Sequence, residues 1–181
     1  MRETICATAA LETAKAITLS ERAYVKISHL EAGINIGLTG TAQMTVKVKN
    51  FGRTPARITD VILTYKLLLS TEPLPTAPDY SATPALQPLQ AFLVTEDELF
   101  FSRTFALGPQ NNDLEDGTKR LWLYGYVDYI DTFGERHRAG YASRYSPGPT
   151  SDNLTMVAQE AYNYDRPRKK GEGNDWDELP N

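Results

Sequence analysis

The stretch RLWLYGYVDYI, residues 120–130, limits the folds open to this chain more than any other. Read with a period of two, it sorts cleanly. Leu121, Leu123, Gly125, Val127 and Tyr129 fall on one side, and Trp122, Tyr124, Tyr126, Asp128 and Ile130 on the other. Successive side chains of an extended strand point to opposite faces, so this alternation predicts a β-strand with two distinct faces. DTFGE follows, and then the extended segment HRAGYASRY. Asp131 is placed to cap a turn through its side chain, and Gly134 to take a positive φ. The two segments therefore predict a hairpin.

The same period recurs upstream. RAYVKISHL alternates from Ala23 to Leu30, and QMTVKVKN sets Met44, Val46 and Val48 against Thr45, Lys47 and Lys49. PARITDVILTYKLLLS reads as one strand bent near Thr59–Asp60, or as two short ones. ELFFSRTFAL is another strand, and residues 154–157 a last one. Five prolines fall in residues 71–90; proline cannot donate to a central ladder, so this segment is a surface crossover. QNNDLEDGTK reads as a polar loop. Residues 2–19 are rich in Ala, carry the good helix formers Glu, Lys and Leu, and predict a helix, though its apolar face is thin and four threonines weaken it.

Short extended segments separated by turn signals, with no helical repeat, predict a mainly β fold: an antiparallel immunoglobulin-like β-sandwich with a short N-terminal helix. The expected organisation is a helix over 1–20, a β-sandwich domain over 21–164 and a disordered polar tail over 165–181. Hydrophobic residues make up 41% and charged residues 23%, so a real core is available. A net charge of -4 and the lack of a basic stripe argue against nucleic acid as the partner. One cysteine, Cys6, permits no internal disulfide, and with two histidines it cannot build a structural zinc site. Glu3, Glu12 and Lys15 interrupt any apolar leader, and no window is apolar enough to span a bilayer. The chain as written is expected to be soluble and cytoplasmic.

SERAYVKI, VKVKNFGRTPARITDV and LYGYVDYIDTFGERHRAGY, in that order, resemble a widespread group of uncharacterised bacterial proteins. In that group an N-terminal membrane segment and a short helix precede a single β domain. The resemblance spans residues 20–145. It implies the fold type and a membrane-proximal setting, through a segment absent from this chain, and it carries no activity and no catalytic residue.

Three functional readings follow. The first is a non-catalytic β-sandwich module, without cofactor, that mediates protein–protein contacts or self-association. The second is a carbohydrate- or small-ligand-binding β-sandwich. It would use Trp122, Tyr124, Tyr126, Tyr141 and Tyr145 as an aromatic sheet face, since rings with polar tips suit sugars and protein surfaces alike. The third places a divalent ion or an acid/base pair on Asp128, Asp131 and His137, with Glu135 close by. Against the third stands plain cross-strand pairing of Asp128 or Asp131 with Arg136 or Arg138. No nucleophile elbow and no phosphate-binding glycine loop is present.

Overall fold

The computed structural model describes residues 2–29, 35–36, 40–86, 91–108, 111–145 and 154–172. The expected helix is α1, Arg2–Glu21. Leu11 and Ile17 stand exposed on it. An exposed ion pair, Glu21 to Arg53 at 2.9 Å, ties its end to the β domain; such pairs contribute at most about 1 kcal/mol. Each α1 residue from Thr8 to Ser20 whose burial is described is exposed.

All strands pair antiparallel, in two sheets. In the first, β3 (Thr41–Asn50) is flanked on one side by β1 (Val25–His29) and β2 (Asn35–Ile36), and on the other by β6 (Glu98–Ala106). The second runs β10 (Tyr164–Pro167), β8 (Arg136–Tyr145), β7 (Lys119–Asp131), β4 (Ala56–Leu69), β5 (Ala91–Leu93). A further strand, β9 (Leu154–Met156), also pairs with β8. The bend expected in β4 is a register shift between Ile58 and Asp60 against β7. The polar loop contains a short helix, α2 (Asn111–Glu115), which seats Leu114 in the core.

One core joins both sheets. Met44, Val46 and Val48 of β3 and Phe101 and Phe105 of β6 cluster with Leu63 of β4, Leu121, Leu123, Val127 and Tyr129 of β7, and Tyr141 of β8. For β3 and β7 these are residues that the period of two sorts to one face; Tyr141, expected on the other face with Tyr124, joins them here. Each large aliphatic side chain fully buried here contributes about 1.5–3 kcal/mol. Gly125 sits where β7 crosses the core beside β4: a Cβ there would collide with the Ile62 carbonyl, so close strand approach requires glycine.

Asn50 fixes the corner between β3 and β4. Its Nδ2 donates to the carbonyls of Thr54 (2.8 Å) and Leu93 (3.0 Å). Its Oδ1 accepts from the amides of Gly52 (2.9 Å) and Tyr24 (3.2 Å). Buried and fully bonded, it links β1, β5 and the turn. Gly52 is needed there for close approach to the Arg22–Tyr24 main chain, and its φ is not positive.

The expected tail begins inside the fold. β10 pairs Tyr164 with Gly140 and Pro167 with His137, and the Arg168 amide continues the ladder by donating to Arg136 O at 2.8 Å. Further on, Glu172 binds Arg166 at 2.7 and 2.8 Å. Residues 173–181 of the expected tail lie outside the described residues. Among the described residues no helix is long and apolar enough to cross a membrane.

Candidate functional site

The outer face of β7 carries Trp122, Tyr124, Tyr126 and Asp128, and all four are buried. Two segments cover them: the proline-rich crossover and the chain after β9. Leu74 and Tyr162 pack into one cluster with Trp122, Tyr124 and Ala142. The Tyr80 ring meets Tyr126 edge-on at 4.9 Å, and Tyr162 meets Tyr124 edge-on at 5.4 Å. The Tyr124 hydroxyl donates to Asp79 O at 3.3 Å. Edge-to-face rings add about 0.5–1.5 kcal/mol beyond their buried area.

The expected aromatic face is therefore corrected in two ways. Trp122, Tyr124 and Tyr126 lie under other chain segments rather than in solvent. Tyr141 and Tyr145 lie on the opposite face, because Tyr141 pairs with Gly125 and Tyr145 with Leu121, both inward residues. Opposed residues of an antiparallel pair share a face, so the register separates the five rings.

Next along the outer face, Asp128 is fully buried and bound by two guanidinium groups. Arg138 donates through Nε to Oδ1 at 2.7 Å and through Nη2 to Oδ2 at 2.8 Å. Arg168 Nη1 donates to Oδ2 at 3.0 Å. The Arg138 guanidinium lies 3.7 Å from the Tyr126 ring centroid, and the Tyr126 hydroxyl donates to Asp60 Oδ2 at 3.2 Å. Burial pushes the Asp128 carboxyl up to about 6, outweighing the Arg138 hydrogen bonds and the charges of Arg138 and Arg168. Desolvation opposes ionisation of Arg138, and the hydrogen bonds and charge of Asp128 more than offset it, so its pKa is raised. Burial, helped by Asp60, raises that of Tyr126.

The proposed metal set does not assemble. Asp131 faces inward with Tyr129 and His137, away from Asp128. Its Oδ1 accepts from the amides of Phe133 and Glu135, both at 2.9 Å, and its Oδ2 meets His137 Nε2 at 3.0 Å. With Gly134 at φ 82°, Asp131 is the turn cap the sequence predicts. Asp131 lies three positions after Asp128, an odd step along a strand, so their carboxylates diverge. Among the described residues no group of three or more His, Cys, Asp or Glu could hold a metal ion. The cross-strand pairing of Asp128 with Arg138 does form.

Sequence reasoning missed Tyr80, in the expected crossover, Arg168, in the expected tail, and Tyr162 and Tyr164, at the end of the expected β domain. It also missed which aromatics are exposed. Phe51, Phe92, Phe100 and Phe133 are each 46–69% exposed, while every tyrosine on β7 is buried. The doublet Phe100–Phe101 was the available signal, because neighbours on a strand must face opposite ways.

A cleft of about 420 Å³ opens where the start of β1 approaches β8 and β10, lined by Arg22, Tyr24, Lys26, Tyr141, Tyr164 and Asp165 among others. Asp165 Oδ1 accepts from the Tyr129 hydroxyl at 3.3 Å, and burial raises its pKa. No protein-family model matches the chain, and no curated protein matches it either.

Proposed function

We propose that the chain is a non-catalytic β-sandwich of immunoglobulin-like type that makes protein–protein contacts, in a membrane-proximal setting. The strand order supports the fold type. β1-β3-β6 faces β5-β4-β7-β8, as A-B-E faces C′-C-F-G in immunoglobulin domains. The observation that carries the contact reading is the inverted placement of the aromatics. Phenylalanine has no polar tip to keep wet, yet Phe51 just after β3, Phe92 on β5 and Phe100 on β6 lie exposed, while Tyr124, Tyr126 and Tyr129 are buried. Exposed aromatic surface of this kind is what interfaces bury. The membrane-proximal setting rests on the family resemblance, and α1 suits it as an exposed spacer.

The test is photo-crosslinking in the cells that make the protein. A benzophenone amino acid replaces Phe92 or Phe100, with Glu160, also exposed, as the control position. Discrete protein adducts from the two phenylalanine positions alone are expected; their absence rejects the contact reading.

A second reading, small-ligand binding, is favoured by the cleft beside Asp165 rather than by the aromatic sheet face. Screening polyols and small acids by amide chemical shifts tests it. Shifts centred on Gly140 and Tyr164 are its signature, and a silent cleft removes it.

A further inference from the structure

The edges of the two sheets are unequal. An exposed edge presents unpaired main-chain donors and acceptors, and folded proteins blunt such edges with short strands, bulges or proline. Three of the four edges here follow that rule. β5 has 3 residues, and beyond it Leu86 bridges Val61. β9 has 3 residues, and β10 has 4 and ends in Pro167. β1 has 5 with a register shift after Ile27, and β2 has 2.

β6 breaks the rule. It has 9 residues, ELFFSRTFA, and pairs with β3 from Lys49↔Glu98 to Thr41↔Ala106 without a shift. It contains no proline, and among the described residues no strand pairs its other side. Phe100, Ser102, Thr104 and Ala106 are exposed along its outer face. Its one inward charge, Arg103, reaches across the gap between the sheets to Pro84 O at 2.7 Å. Glu98 is engaged within the sheet by Lys47 at 3.2 Å. A strand of high β propensity and little free charge is thus left open along one side.

We propose that β6 pairs antiparallel with β6 of a second copy of this chain, about a two-fold axis at Ser102, so that the two first sheets become one continuous sheet. The inference rests on the protein-contact reading and names the partner. The argument for a second copy is self-complementarity. With Ser102 opposite its own copy, Phe100 faces Thr104, Glu98 faces Ala106, Phe101 faces Arg103 and Leu99 faces Phe105. No like charges meet, and Arg103, which already lies 5.9 Å from the Phe105 ring centroid of its own strand, meets a second ring in Phe101 of the other copy. An isologous pairing also closes on itself and leaves no free β6 edge for further growth.

The test uses the full chain. Sedimentation velocity over a wide concentration range should show a monomer–dimer equilibrium. Ser102→Lys sets two ammonium groups opposite each other on an exposed face and should weaken the dimer at least about tenfold, with the circular dichroism and melting temperature of the subunit unchanged. In a Cys6→Ser background, Ser102→Cys should form an intermolecular disulfide on mild oxidation, because opposed Cα atoms in such a pair lie about 4.5–5.5 Å apart. A monomer at every concentration overturns the proposal, and so does a dimer that ignores both substitutions. Photo-crosslinking from position 100 separates the two readings. An adduct of twice the subunit mass supports self-pairing; an adduct with a different protein overturns self-pairing and leaves the contact reading standing; no adduct removes both.

Discussion

The outer faces of the two sheets are made alike and finished differently. On the β7–β8 face, aromatic rings and charged groups lie under the crossover and the C-terminal segment, and Asp128 has no exposed surface. On the β3–β6 face, Thr45 bonds Ser102 at 2.7 Å and Lys49 meets the exposed Glu96 at 2.6 Å, with Phe100 more than half exposed near them. The same kinds of contact carry different weight in the two places. Water screens an exposed pair and replaces it when it breaks, whereas a buried charge that loses its partner has nothing to turn to. The chain thus spends its covering segments on one face and leaves the other available.

Substitutions can sharpen this contrast. The largest effect is expected for Asp128→Ala, which leaves Arg138 buried without its carboxylate and should remove about 3–5 kcal/mol of stability in urea unfolding. A loss under about 1 kcal/mol would place Asp128 with the exposed pairs and break the comparison. The pH dependence comes next. The Asp128 carboxyl titrates near 3.8 when free and at about 6 in the fold, so the folded state holds this proton more tightly. Its stabilising contribution is full below about pH 3.8 and declines as pH rises to about 6, by up to about 3 kcal/mol. Asp128→Asn should flatten that slope when unfolding is followed at several pH values. Arg168→Ala removes one charge-assisted hydrogen bond and should lower stability by about 1.5–3 kcal/mol. On the open face, Thr45→Ala should change the unfolding midpoint by no more than about 0.5 kcal/mol equivalent.

Much of the covered face was legible in residues 120–145. Alternation assigned the side chains from Leu121 to Ile130 to their faces, and Asp131 and Gly134 announced the turn. Alternation within one strand does not state the register with the next, so Tyr141 could not be separated from Tyr126 without the pairing of Gly125. The segment YDRP was misread for a different reason. It is a strand that docks through its ladder to β8 and the Tyr164 ring against Gly140, with Arg168 just beyond it, and has no apolar period; its polar letters look like a solvated tail. Burial of charge is visible only once the partner carboxylate, 40 residues away, has been placed. The exposed phenylalanines escaped notice because composition counts rings and does not orient them.

The position of Arg168 so close to the C-terminal end of the described chain also sets an order of events. A chain synthesised from its N-terminus can pair β3 with β6 and β4 with β7 while residue 168 is still inside the ribosome. The Asp128 carboxylate then waits with one guanidinium, under a cover that is half built. If the Arg168 contact also forms after the rate-limiting step of refolding, Arg168→Ala accelerates unfolding and leaves the folding rate nearly unchanged; a slower folding rate in stopped-flow measurements overturns that order. The segment that reads as an afterthought in the sequence then governs how long the finished domain stays closed.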